Sequence, residues 1–312
     1  MAVAAIGISH APLMGSHDPG PVVLEEVENA FDAARGLIAS FEPDLVVVFA
    51  PDHYNGLFYD MMPAFCVATA ATSVGDWRSS AGPVAVDRDA AARAARCLLD
   101  AGIDVAVSER LEVDHGFVQP LDVLFGGLQA VPVVPVFINC AAPPLGPMWR
   151  ARLLGSVLGE AMANLDRRVL MIGSGGLSHD PPLPKLAGAT AAVAERMIAG
   201  RHPTAEERRA REEMVVRTGA EFTAGTAPIM PLNPQWDEQF LDLLAEQRIA
   251  EVDTWDNDAM VSAAGNASHE VRTWVAAYAA LATSGPYRMT SRYYRPIPEW
   301  IAGFAVTTAV VA

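Results

Sequence analysis

The chain has 312 residues, just over half of them hydrophobic, and a formal net charge of −15. That length and apolar content suffice to bury a core without covalent staples. The acidic balance argues against binding to nucleic acid or to an anionic membrane surface, and it means that an acidic ligand would have to be held by local cations.

The three cysteines, Cys66, Cys97 and Cys140, are far apart and show no C-x-x-C spacing. They are read as small buried hydrophobes, not as a disulfide framework or a zinc site. The apolar start MAVAAIGISHAPLMG lacks a basic leader region, and the apolar stretch from Trp300 to Ala312 is too short to span a bilayer. A cytoplasmic protein is expected.

In chain order, short Val- and Ile-rich runs predict buried strands at Val3–Ser9, Asp44–Ala50, Val131–Ile138 and Val169–Gly173. Between and after them, periodic patterns predict helices over Val22–Phe41 (behind Pro21), Arg88–Asp100 and Pro147–Asn164. Leu183–Phe222 reads as mostly helical, and its charged run from Glu206 to Glu213 reads as a solvated face. Further helices fit Asp237–Gln247, Asp258–Ala264 and His269–Ala282, and Arg288–Gly303 reads as ordered coil. The alternation predicts an α/β fold, and with no repeat or linker in view, one domain over 1–312 with a largely helical C-terminal portion.

Histidine placement carries the chemical signal. His10, His53 and His179 each follow a predicted strand, the last after a glycine-rich turn, and His115 sits in a loop before a helix. Functional groups in open α/β sheets gather beyond the carboxyl ends of strands, so these four would converge on one crevice. His17, His202 and His269 do not share the pattern; His17 and His202 read as surface residues, although His17 lies close enough to His10 to line a pocket. Asp52 and Asp114 precede His53 and His115, either to orient the imidazoles or to cap a turn and a helix. Glu270 opens a helix on the same face as Trp274 and Ala277, where a buried carboxylate needs a compensating charge. Two histidines and a carboxylate form the facial triad of non-haem Fe(II) oxygenases, leaving two histidines for proton transfer. Spacing alone does not say which two would bind the metal.

The segments SHAPL (9–13), FAPDHYNGLFYDMMPAFC (49–66), VDHGFVQPL (113–121), PVFINC (135–140), GSGGLSHDPP (173–182), PLNPQWDEQF (231–240), SHEVRTWVAA (268–277) and RYYRPIPEWIAGF (292–304) resemble the class III, LigB-type extradiol dioxygenases along nearly the whole chain. The resemblance implies a three-layer α/β/α fold with a central mixed sheet, Fe(II) as cofactor and a homo-oligomer. It implies His10, His53 and Glu270 as metal ligands and His115 and His179 as the acid–base pair. The implied reaction is O2-dependent ring opening of a catechol with an acidic side chain, 3-(2,3-dihydroxyphenyl)propanoate or its cinnamate analogue. Arg292 and Arg295 are the candidates to grip the carboxylate, because arginine binds carboxylates bidentately. The competing expectations are cleavage of another catechol, protocatechuate or 2-aminophenol on the same scaffold, a metal hydrolase, and a non-catalytic partner subunit.

Overall fold

The computed structural model describes residues 3–312. The chain opens with strand β1 (Val3–Ile8), helix α1 (Pro21–Phe41, with Pro21 in its first turn) and strand β2 (Leu45–Ala50). Short strands β3 (Phe65–Ala68), β4 (Ala71–Val74) and β5 (Ala81–Pro83) precede helix α2 (Arg88–Asp100), and β6 (Ala106–Ser108) and β7 (Leu111–Val113) precede α3 (His115–Phe125). Then come β8 (Val133–Ile138), α4 (Met148–Ala163) and β9 (Val169–Ser174). The C-terminal part holds α5 (Ala191–Ala199), α6 (Ala205–Thr223), α7 (Pro234–Ala245), α8 (Asn257–Ala264), α9 (Val271–Ala282), β10 (Tyr287–Ile297) and β11 (Ala302–Val311).

Eight strands form one mixed sheet in the order β10-β11-β1-β9-β2-β8-β3-β6. The centre, β1-β9-β2-β8, is parallel, while β11 runs antiparallel to β1 and β3 antiparallel to β8. Every residue of β1, β2, β8 and β9 is buried, as expected of strands covered on both faces. Alternate side chains feed two cores. Val47 and Met171 pack with Val275 of α9, Leu154 of α4 and Ala94 of α2, whereas Val48 and Ile172 pack with Phe31 of α1 and Leu121 of α3. The result is the three-layer α/β/α arrangement. A second sheet, β5-β4-β7, lies beside it, with β4 and β7 parallel.

Helix α9 lies close on the central strands because they offer it glycine. A Cβ on Gly7 would fall 2.1 Å from Trp274 Cε3, and one on Gly173 would fall 2.7 Å from the Trp274 Cα. The Trp274 indole N–H donates to Gly175 O at 2.8 Å. This contact fixes where α9 begins, and therefore where Glu270 projects.

Three expectations are corrected. Arg288–Gly303 is not coil, because Arg288 to Ile297 belong to β10 and the chain returns as β11. Pro296 is tolerated because β10 is an edge strand, where a missing N–H breaks no ladder, and Pro298 lies beyond it in the turn to β11. The span 183–222 is helical only from Ala191, and it breaks between α5 and α6. The charged run of α6 is not wholly a solvated face, since Arg208, Arg211 and Glu212 line a cavity. Among the described residues no helix is long and apolar enough to cross a membrane.

Candidate active site

Strands β1, β9 and β2 are parallel neighbours, and their carboxyl ends deliver His10, the GSGG turn with His179, and His53 to one edge. The second sheet does the same for another pair. Ser73 of β4 is in register with Val113 of β7, and just beyond them lie Asp76 and His115. All four imidazoles and Glu270 line one cavity of about 150 Å³.

Glu270 is 3 % exposed and sits among three imidazole nitrogens. Its Oε2 lies 3.5 Å from His10 Nε2, and its Oε1 lies 3.2 Å from His53 Nε2 and 3.4 Å from His179 Nε2. The backbone N–H of Gly176 donates to Oε2 at 2.8 Å. Burial pushes the Glu270 carboxyl up, but the charge of His179 and hydrogen bonds from His179 and His53 outweigh it, holding the group well below the usual carboxylate range.

Each imidazole is anchored through Nδ1, which turns Nε2 toward the cavity. Ser174 Oγ donates to Gly116 O at 2.5 Å, so its oxygen accepts the Nδ1 proton of His10 at 3.0 Å. His53 Nδ1 donates to Asp114 Oδ2 at 3.0 Å, His115 Nδ1 to Asp76 Oδ2 at 2.6 Å, and His179 Nδ1 to Leu177 O at 2.9 Å. In neutral imidazole this leaves a lone pair on Nε2, the form a metal ligand or a base requires. Burial drives His10 down to about 3 and so keeps it neutral. For His53 burial also lowers the pKa, but the charge and hydrogen bond of Asp114 raise it overall.

The acidic neighbours divide differently from their order in the chain. Asp114 serves His53, accepting from its ring and from its backbone N–H at 2.8 Å, while its other oxygen caps α3 through Gly116 N at 3.0 Å. The carboxylate that holds His115 is Asp76, which also accepts the His115 backbone N–H at 2.8 Å. Sequence reasoning missed Asp76; the available signal was an acidic residue just past the short ATSV strand. Asp52 does not orient the His53 ring. It closes a turn by accepting from the N–H groups of Asn55, Gly56 and Leu57, and burial beside Asp114 pushes its carboxyl up to about 7.

Arg292 and Arg295 are not among the residues that line the cavity. Arg292 pairs with Glu238 and Asp242, and Arg295 pairs with Glu26 at 2.7 Å. They lie on an edge strand whose polar residues answer to neighbouring surface acids. His17 is half-buried and bonded to Val216 O at 2.8 Å, His202 is exposed near Glu112, and buried His269 lies 3.4 Å from an Arg272 nitrogen.

A family model described as the catalytic LigB subunit of aromatic ring-opening dioxygenase matches residues 4–305. The chain belongs to the LigB family. Curated relatives align end to end with it. A protein of Rhodococcus sp is 58 % identical, the alignment covering 99 % of both chains. One of Mycolicibacterium vanbaalenii is 54 % identical over 97 % of this chain and 96 % of its own, and one of Paraburkholderia phymatum 53 % over 97 % and 95 %. All three carry the name 2,3-dihydroxyphenylpropionate/2,3-dihydroxicinnamic acid 1,2-dioxygenase. Membership implies a metal cofactor, and the donor chemistry fits one. His10, His53 and His115 present ring nitrogens within 4.8 Å of one another, and an ionised, buried carboxylate adjoins two of them.

Proposed function

We propose that the protein is an Fe(II)-dependent extradiol dioxygenase acting on 3-(2,3-dihydroxyphenyl)propanoate and 2,3-dihydroxycinnamate. With O2 it would open the ring beside the diol, giving a 2-hydroxy-6-oxo-nona-dienedioate from the propanoate and the corresponding trienedioate from the cinnamate. The observation that carries this reading is one buried carboxylate ringed by imidazole Nε2 atoms, in a chain more than half identical end to end to relatives named for that reaction. The metal would be held by His10, His53 and Glu270, two neutral nitrogens and one carboxylate, the facial set of non-haem iron oxygenases. Ferrous iron, when bound, supplies a meeting point for catechol and O2 and makes the catechol hydroxyls more acidic.

The remaining chemistry falls to the chain. His115 is the base: its Nε2 takes a proton from a catechol hydroxyl, and the Asp76 carboxylate behind Nδ1 stabilises the imidazolium that results. His179 is the acid. Its Nδ1 is backed by a neutral carbonyl, and its Nε2 gives a proton to an oxygen of the opening ring. Asp114 keeps His53 turned toward the metal, as carboxylates behind metal-bound imidazoles do. Trp77, Leu13, Met214 and Val215 give the cavity apolar walls that exclude water from the ring. The same reading has the 312 residues act as one catalytic domain in the cytoplasm, assembled as a homo-oligomer whose size sedimentation would measure.

The test is anaerobic loading with Fe(II), addition of 3-(2,3-dihydroxyphenyl)propanoate and air, and parallel recording of O2 uptake and yellow product. Consumption of O2 and substrate in equal amounts is expected. Iron-loaded protein that takes up no O2 with any of a panel of catechols and aminophenols would refute the reading.

A further inference from the structure

The proposed substrate is an anion in a protein of net charge −15, and the two arginines first expected to hold it lie elsewhere. The cavity has its own cations. Arg196 of α5 and Arg208 and Arg211 of α6 all line it. On α6, Arg208 and Arg211 are three residues apart and Val215 follows at four, so the three share one helix face.

Among the described residues, these cavity-lining guanidiniums have no acidic partner: no carboxylate lies within ion-pair distance of any of the three, although Arg292, Arg295 and Arg201 are all paired with acids. Their recorded side-chain hydrogen bonds are two long contacts to backbone, Arg208 to Val74 O and Arg211 Nε to Glu207 O, each 3.4 Å. The acids nearby are engaged. Glu207 closes the capping box of α6 with Thr204, Asp76 holds His115, and Glu212 accepts from Trp77 N at 3.3 Å. Burial lowers the pKa of Arg211, and the charges of Arg196 and Arg208 lower it further. Three like charges gathered at the wall of one cavity repel each other unless an anion joins them. An apolar cavity with a few convergent polar groups is also what a small-molecule site looks like.

We infer that Arg196, Arg208 and Arg211 form the carboxylate clamp of this cavity, binding the side-chain carboxylate of the catechol substrate and setting specificity for acidic side chains. The inference rests on the proposed function for the identity of the ring. It assigns no part in bond making to these residues: they bind and orient, and the imidazoles handle protons.

The experiment compares 3-(2,3-dihydroxyphenyl)propanoate with 3-propylcatechol, which has the same chain length and no carboxylate, in iron-loaded full-length protein. The variants are Arg196→Met, Arg208→Met, Arg211→Met and Arg211→Lys. Losing a charge-assisted bond to a carboxylate is expected to raise the KM for the propanoate roughly 10- to 100-fold with kcat nearly unchanged. The kinetics of 3-propylcatechol should stay at the wild-type level, which also reports an intact fold. Arg211→Lys should recover part of the loss, and the propanoate KM of wild-type protein should rise with salt while that of the Met variants responds less. Equal changes for both substrates, or a preference for the propanoate that survives all three Met variants, would overturn the clamp. Wild-type protein that opens both rings equally well would instead overturn the acidic-substrate reading on which the clamp depends.

Discussion

At the scale of single residues, the site follows one rule: Nδ1 of each imidazole carries a proton to an anchor, and Nε2 meets the cavity. The anchors differ, and so do the consequences of removing them. Asp76→Asn keeps the volume but takes the counter-charge from His115. Turnover is expected to fall roughly 10²- to 10⁴-fold, the usual weight of a general acid–base group, with metal content unchanged. Steady-state kinetics beside metal analysis is the check, and an unaltered kcat would remove Asp76 from the mechanism. With His53 as the proposed ligand, Asp114→Ala acts on the metal instead. It strips the carboxylate from His53 Nδ1, and chelator competition should show affinity about 10- to 100-fold weaker. The four histidines were legible in the sequence because each closes a strand or opens a helix. Their partners were not, because hydrogen bonding across the sheet edge ignores chain order. Asp114 adjoins His115 in sequence yet serves His53, and Asp76 reaches His115 across a separation of 39 residues.

At the scale of elements, the contact between α9 and the central strands decides where Glu270 stands. Gly7→Ala would drive a methyl group into the Trp274 ring. A loss of roughly 1–3 kcal/mol is expected in urea unfolding, with weaker metal binding as Glu270 shifts. A second tie joins the loop after β9 to the residues leading into α9. Asp180 accepts from the N–H and amide of Asn266, at 3.0 and 2.6 Å, and from Met230 N at 3.1 Å. Burial pushes its carboxyl up, but these bonds win and the pKa is lowered. A depressed carboxylate contributes stability that is present above its unfolded pKa, near 4, and lost as the pH falls below that. The stability difference between wild type and Asp180→Asn should therefore be steady from pH 5 to 7 and shrink below about pH 4. Denaturant unfolding across that range would detect it, and a difference that grows toward acid would refute the assignment. The buried strands and most helices could be read from apolar runs and caps. Strand β10 could not, since an edge strand with one wet face, a proline within it and another just beyond it has the composition of a loop. The cavity face of α6 was hidden for a related reason: arginines facing a binding site and arginines facing solvent look alike in sequence.

At the scale of the whole molecule, two parallel strand sets meet at one edge, the larger sheet bringing His10, His53 and His179 and the smaller bringing Asp76 and His115. A metal held by His10, His53 and Glu270 would tie the segments after β1 and β2 to the residue that precedes α9, so its binding should stabilise the entire fold. At free metal about 100 times Kd the gain would be about 2.7 kcal/mol. Stripping the ion with a chelator should lower Tm, and re-addition of Fe(II) should restore it, both measurable by calorimetry under nitrogen. The wall formed by α5 and α6 has a different standing. It contributes Arg196, Met197, Arg208, Arg211, Met214 and Val215 to the cavity but none of the imidazoles or the carboxylate at its centre. Changes at the cavity-facing positions of α5 and α6 would alter which ring side chain is accepted while leaving the imidazoles and the carboxylate in place.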